Sequence, residues 1–457
     1  MKKNGKKIKE NIHNSIINNM GKYSKEEIEY QYKKMLFLLK NNYAENIEIK
    51  MHRYSASEIK TYLANTMSIT FEVTENCNLN CDYCIYNKYY INQRTTKNKT
   101  LDFDIVKNVI NFLLPIWNSS LNSSYNNKIS IGFYGGEALL NFKLIKKIVS
   151  YIKTLKIYED NRTEFRMTTN GVLLDKYIAF LVENNFNLLI SLDGGTKQEN
   201  SYRKFHDGKI AFDIIYDNVR KIKEKYSDYF DKYVNFISVM HNNNKESDVK
   251  DFFANKLNKK VFISSLATDG LNPKWEKEFW LLFKKTSIDE KNETTKPNEN
   301  TVELYDIITF MRFFSNFVKE SYWDLLMSKN ENKYFLPTGT CSPFKRMIFV
   351  TSDGKILPCE RIGHQFEMGT VSADKVNIDF QKIADRYNDA YSNIYERCKK
   401  CMFQFGCGQC MFQTNNFDCK LFTANLDENF SNIFAHYFNA MEKDPQLYLK
   451  SSNYKMI

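Results

Sequence analysis

The sequence predicts an α/β fold: a partial (β/α)6 barrel, preceded by a helical segment and followed by a small cysteine-rich domain. Three observations predict it. From residue 67 onward, six short β-branched or aromatic runs alternate with helical stretches, the pattern of parallel strands joined by crossover helices. Seven of the ten cysteines lie within residues 341–419. The first 66 residues hold no cysteine and carry apolar positions at helical spacing in YSKEEIEYQYKKMLFLLKNNY,.

Composition sets the limits. A chain of 457 residues buries a large core and divides into two or three domains,. With 43% hydrophobic and 15% aromatic residues it lies well outside the disordered regime,. The net charge of +11 is spread over many helices, and the one local basic run, five lysines in the first nine residues, reads as a solvated terminus,. Neither nucleic acid nor membrane is therefore an expected partner. No stretch approaches the roughly 18 to 20 apolar residues of a membrane span, and no apolar signal region follows the N-terminal lysines,. The expected location is cytoplasmic, where clustered cysteines serve as metal ligands rather than disulfides.

Taken in order, residues 1–66 read as helices, a possible peptide-recognition element. Residues 67–300 hold the barrel, with strands at SITFEVT (68–74), ISIGFY (129–134), EFRMTT (164–169), NLLISLD (187–193), YVNFISVM (233–240) and KVFISSL (260–266). Helical stretches such as FDIVKNVINFLLPIW and FKLIKKIVSYIKTL lie between them. Residues 267–300 are polar and read as a loop or insertion, and residues 301–335 read as a bridging helix. Residues 336–425 form the cysteine-rich domain, with a hairpin at MIFVTSDGKILPCE, and residues 426–457 include a terminal amphipathic helix,. In barrels of this kind the chemistry collects at the C-terminal ends of the strands.

The first motif lies there. TENCNLNCDYC places Cys77, Cys81 and Cys84 in a C-x3-C-x2-C array directly after the first strand. Three thiolates on one loop hold three irons of a four-iron cubane and leave the fourth iron open to a chelating ligand. Zinc is the alternative, but zinc sites close with a fourth Cys or His, and none lies nearby in sequence,. With Tyr83 before the last cysteine, this motif resembles that of the radical S-adenosylmethionine (SAM) superfamily. The resemblance implies a cluster that binds SAM through its open iron and, on one-electron reduction, yields a 5'-deoxyadenosyl radical. It extends to Gly135, Gly136 and Glu137, a GGE element after the second strand implied to meet the SAM amino group. It also takes in Ser191 and, twelve residues on, Arg203, implied to meet the ribose and the methionine carboxylate. Asn170 in TTNG and Asp193 in SLDGG either shape the loops or meet substrate,.

The second group fits C-x12-G-x4-C at Cys341, Gly354 and Cys359, then C-x2-C-x5-C-x2-C at Cys398, Cys401, Cys407 and Cys410, with Cys419 beyond. It resembles the SPASM domain, with a C-x2-C where that family usually has C-x3-C; the two C-x2-C pairs alone also fit a zinc ribbon. The resemblance implies two auxiliary [4Fe-4S] clusters, for three in all. Cys341, Cys359 and Cys410 would serve the nearer, and Cys398, Cys401, Cys407 and Cys419 the farther. Ten cysteines then leave the nearer cluster one cysteine short of four, so that it has either a non-cysteine ligand or an open iron.

Enzymes of the resembled architecture mostly act on peptides, in the manner of ribosomal-peptide maturases and, more distantly, anaerobic sulfatase-maturating enzymes. The expected substrate is a ribosomally made precursor peptide, and the expected electron donor a small protein such as flavodoxin or ferredoxin. An open auxiliary iron would bind a substrate thiolate, which favours a thioether product at Cys. Carbon-carbon cross-linking and formylglycine formation are the alternatives.

Overall fold

The computed structural model describes residues 50–90, 98–123, 128–267, 270–282, 334–399 and 410–412, with isolated positions at 26, 29, 30, 33, 444 and 446. The chain divides into two compact units, one of residues 1–52 with 311–335 and one of residues 53–310 with 336–457. In the first, Lys50–Met51 pairs in parallel with Tyr334–Phe335. Those two residues are the part of the expected 301–335 helix that is described, and they are strand. Everything that follows belongs to the second unit.

Among the described residues its sheet has ten strands. The six expected from the sequence are β1 (Ser68–Thr74), β2 (Ile129–Gly135), β3 (Thr163–Thr169), β4 (Asn187–Ser191), β5 (Val234–Met240) and β6 (Val261–Ser265). Each is parallel to the next, in sequence order. Period-two alternation decides which face is covered. Ile69, Phe71 and Val73 are fully buried, as are Ile131 and Phe133. Phe165 stacks on Phe186, and Phe133 packs tilted against both.

The helices supply the other side of that core. Helix α1 (Ala56–Ala64) starts at Ser55, whose hydroxyl accepts from the Glu58 amide. Helix α2 (Phe103–Trp117) starts at Asp102, which accepts from the Asp104 amide, and buries Val106, Val109, Ile110, Leu113 and Trp117 along one stripe,. Helix α3 (Phe142–Lys153) buries Leu144, Ile145, Ile148, Val149 and Ile152 in the same way. Helices α4 (Leu174–Glu183), α5 (Phe212–Lys225) and α6 (Glu246–Phe252) complete the crossovers. The polar stretch expected as loop contains a helix, α7 (Glu276–Leu282). Its Phe279 is fully buried against Tyr89 and Tyr90, a tertiary contact that composition does not announce.

The expected hairpin is present as β7 (Ile348–Val350) and β8 (Lys355–Leu357), extended by β9 (Gly369–Val371) and β10 (Val376–Asn377). It does not stand apart from the barrel. Strand β7 pairs in parallel with β1, so the antiparallel strands continue the barrel sheet. Gly354 takes φ +79° in the tight turn, where a Cβ would stand 2.2 Å from the Val371 carbonyl,. Helix α8 (Phe380–Cys398) follows and packs on α1, with the Asn388 side chain bonded to both the amide and the carbonyl of Tyr54 at 2.8 and 2.9 Å. No helix among the described residues is long and apolar enough to cross a membrane.

Candidate functional site

The loop leaving β1 carries Cys77, Cys81 and Cys84, all partly buried. It is held from two sides. The Asn80 and Asp82 amides donate to the carbonyls of Lys204 and Tyr202 at 2.7 and 3.0 Å, and Lys204 Nζ lies 2.9 Å from Asp82. The Leu79 amide donates to the Cys77 sulfur at 3.4 Å, and Asn170 Nδ2 lies 3.8 Å from the same sulfur. Burial pushes the Cys77 thiol up to about 11 and the Cys81 and Cys84 thiols up to about 12. They therefore become thiolates only against a strong cationic centre. Among the described residues no three His, Cys, Asp or Glu side chains converge tightly enough to hold a single metal ion. Ligands of a cubane sit on different irons and need not converge in that way, so three mutually close thiols on one loop fit a cluster donor set.

The GGE turn ends β2. Gly135 has φ +155°, and a Cβ there would lie 2.2 Å from the Thr74 carbonyl; one on Gly136 would lie 2.3 Å from the Asn76 carbonyl. The Gly136 and Glu137 amides donate to those same carbonyls at 3.0 and 2.8 Å. The close approach that needs glycine is thus to the start of the cysteine loop. Glu137 is buried, and its carboxylate accepts from Thr169 Oγ1 at 2.8 Å, the Asn170 amide at 2.7 Å and the Leu139 amide at 3.1 Å. Burial raises its pKa, partly opposed by these hydrogen bonds. The structure places this carboxylate as a tie between the ends of β2 and β3. Asn170 in turn reaches Asn78 Oδ1 at 2.8 Å, beside Cys77.

Ser191 ends β4 half-buried, and its hydroxyl has no protein partner among the described residues. Two residues on, Asp193 is completely buried. Arg203 Nε and one Nη2 hydrogen form a two-bonded fork with it at 2.8 and 2.9 Å, the Val239 amide donates at 2.9 Å, and the Tyr83 hydroxyl donates as well. His241, fully buried after β5, has Nε2 3.8 Å from Asp193 and its ring stacked on Tyr83 at 5.9 Å. Burial alone would raise the Asp193 pKa, but the Arg203 and His241 partners outweigh it and hold the carboxyl at about 2. Burial lowers the Arg203 pKa, but the Asp193 carboxylate outweighs it and drives Arg203 well above its ordinary value. The sequence left Asp193 open between loop and substrate, and the structure makes it a hub of the loops. His241 was missed; a histidine directly after a barrel strand is the signal that it offered.

Of the second cysteine group, Cys341, Cys359, Cys398 and Cys410 are described, while Cys401, Cys407 and Cys419 lie outside the described residues. The Met411 amide donates to Thr340 Oγ1 at 2.8 Å, which brings Cys410 beside Cys341. Burial pushes Cys359 up to about 12, with Glu360, Cys410 and Cys341 adding to it, so these three cysteines share one neighbourhood. The hairpin that carries Cys359 is fastened to β1. Ser352 in its turn donates from its amide to Glu72 at 3.1 Å and from its hydroxyl to Glu75 at 2.9 Å, two residues before Cys77.

Residues 71–254 match the model of the Radical SAM superfamily. Among curated proteins, the chain is 27% identical over 225 residues to the radical SAM cyclopropyl synthase TigE of Paramaledivibacter caminithermalis, covering 46% of this chain and 43% of that one. It is 36% identical over 142 residues to an uncharacterized protein of Methanocaldococcus jannaschii, covering 31% and 43%. These two are matched over less than half of their length. The cysteine-type anaerobic sulfatase-maturating enzyme of Clostridium novyi is 26% identical over 338 residues, covering 72% of this chain and 83% of the enzyme. Among solved structures, native anSMEcpe with bound AdoMet and Cp18Cys peptide aligns with a TM-score of 0.51 at 19% identity, over 85% of this chain and 99% of that one. At that identity the likeness shows the fold. The cysteine loop, the GGE turn, Ser191 and Arg203 all lie inside the stretch that matches the radical SAM superfamily model.

Proposed function

We propose that this protein is a peptide maturase that oxidatively modifies a ribosomally synthesised precursor, with a thioether at Cys as the favoured product. The observation that carries the reading is the three-thiol loop at the C-terminal end of β1, bracketed by Asn170 on the Cys77 sulfur and by the Asp193 hub on Tyr83. A radical SAM domain implies one four-iron cluster and SAM, which together supply a carbon-centred radical able to abstract a substrate hydrogen. The chain's own residues bind and orient. Cys77, Cys81 and Cys84 hold the cluster. The GGE turn brings the β2 end against the loop, and the free Ser191 hydroxyl and the unused Arg203 N–H groups are donors for the polar end of SAM.

Cys341, Cys359 and Cys410 would hold the nearer auxiliary cluster, and their shared neighbourhood supports that grouping. Cys398, Cys401, Cys407 and Cys419 would hold the farther one. An open iron on the nearer cluster would bind a substrate thiolate, and this favours the thioether. A flavodoxin or ferredoxin in the cytoplasm would supply electrons. A second reading, formylglycine formation on a sulfatase, is favoured by the extent of the match to the Clostridium novyi enzyme.

Anaerobically purified protein is expected to carry about twelve irons and to release 5'-deoxyadenosine on dithionite reduction. Alanine at Cys77, Cys81 or Cys84 is expected to abolish that release. Four irons with stoichiometric zinc would overturn the three-cluster reading. Mass spectrometry of a Cys-bearing peptide encoded beside the protein, against a sulfatase peptide, separates the two substrates.

A further inference from the structure

Asp193 is held more completely than a single buried ion pair requires. Its carboxylate accepts from Arg203, the Val239 amide and the Tyr83 hydroxyl, with His241 alongside. Its backbone is clamped as well: its amide donates to Asn200 Oδ1 at 2.9 Å, and its carbonyl accepts from Asn244 Nδ2 at 3.1 Å. Both asparagines are buried. The carboxylate's donors come from three segments, and two of them belong to the site. Tyr83 stands between Cys81 and Cys84, and the Arg203 guanidinium lies 5.4 Å from the centre of the Tyr83 ring. The Arg203 fork to Asp193 uses Nε and one Nη2 hydrogen, which leaves the remaining N–H groups for a ligand,.

We propose that Asp193 is a positioning residue of the radical site, one carboxylate that sets both the cysteine loop, through Tyr83, and the SAM-facing edge of Arg203. Its side chain is completely buried, and its action on the site runs through Arg203 and Tyr83. A buried two-bonded fork fixes the guanidinium plane, so turning Asp193 turns the surface offered to SAM. A hydroxyl bonded to the same oxygen ties that plane to the loop between two cluster cysteines. The inference rests on the radical SAM reading of the site.

The test uses the full-length, cluster-loaded protein and three variants: Asp193→Asn, Tyr83→Phe, and Asp193→Asn combined with Arg203→Gln. Iron content, SAM affinity and the SAM-induced change in the electron paramagnetic resonance signal of the reduced protein are measured. That change reports the one cluster whose open iron meets SAM. Expected are wild-type iron content, SAM binding weakened by about tenfold or more in Asp193→Asn, and an altered SAM-induced signal. Tyr83→Phe, which keeps the ion pair, is expected to shift the signal in the same direction by less. The double variant, which leaves no buried lone charge, is expected to keep its iron and not recover SAM affinity.

SAM affinity within about twofold of wild type and an unchanged signal in Asp193→Asn and Tyr83→Phe would overturn the proposal and leave Asp193 a core carboxylate. Should Asp193→Asn not fold, Tyr83→Phe decides by the same readings, since the double variant loses the Arg203 donors themselves. A wild-type protein with no SAM-induced signal would instead sink the radical SAM reading itself.

Discussion

At the scale of single residues, two buried carboxylates of the site respond to acid in opposite ways. Asp193 is held at about 2 against an ordinary 3.8, so the folded protein binds its proton more weakly than the unfolded chain. The stability this contributes is present in full above about pH 4 and is lost as the pH falls toward 2, an effect of about 2 kcal/mol. Glu137 has a raised pKa. Its contribution is therefore present at low pH and is lost as the pH rises through its folded value. The two overlap in the wild type, but a difference measurement separates them. Denaturant unfolding of wild type and Asp193→Asn between pH 5 and 2 is expected to show a gap in free energy that narrows by about 2 kcal/mol on acidification. A gap independent of pH would mean that the fold does not shift the Asp193 pKa, and one that widens on acidification would mean that the fold raises it. The motif residues around these carboxylates were legible in the sequence because each stands at a strand end. Their partners were not, since the bond between Tyr83 and Asp193 spans 110 positions and no local pattern encodes it.

At the scale of elements, the six barrel strands were legible because each is a short β-branched or aromatic run set between helical stretches,. Helix α7 was not, because its short FWLL run lies in a polar stretch and buries Phe279 while Trp280 and Leu281 stay exposed. The GGE turn shows what an element end costs to position. A side chain on Gly136 would meet carbonyls of both Glu75 and Asn76 within 2.6 Å, and backbone cannot swing aside as a long side chain does. Gly136→Ala must push the β2 end away from the start of the cysteine loop, the step that brings Glu137 and Asn170 to Cys77. Strain of this kind costs on the order of 1–3 kcal/mol. The expected outcome is a lower unfolding midpoint together with weaker SAM binding. The barrel core is far from the change, so the circular dichroism of the helices is expected to stay the same. Wild-type SAM affinity in Gly136→Ala would show that the turn does not set the loop.

At the scale of the molecule, the sheet joins what the sequence divides. Composition drew a boundary near residue 336, where apolar runs give way to cysteines, but β7 pairs with β1 over a separation of 279 residues, Ile69 opposite Ile348. Parallel pairing across such a distance has no turn to announce it, and β7 has three residues. The consequence is that β1, the strand that leads into the cysteine loop, is an interior strand because the C-terminal hairpin covers it. A chain ending at Phe335 would leave β1 as an open edge, with its amides and carbonyls unpaired and the loop after it without the Ser352 contacts to Glu72 and Glu75,. It would also lose α8, whose Asn388 and tyrosines pack on α1 and Tyr54. That truncated chain is expected to aggregate or to unfold without cooperativity, even though it keeps every strand of the six-stranded barrel. The full chain is expected to unfold residues 53–310 and 336–457 in one transition, because they form one compact unit,. Scanning calorimetry with limited proteolysis checks this. A soluble, cooperatively folded chain ending at Phe335 that still reconstitutes four irons on Cys77, Cys81 and Cys84 would show that the hairpin is an appendage. Its loss would then affect auxiliary chemistry alone, and β1 would need no neighbour to carry the cysteine loop.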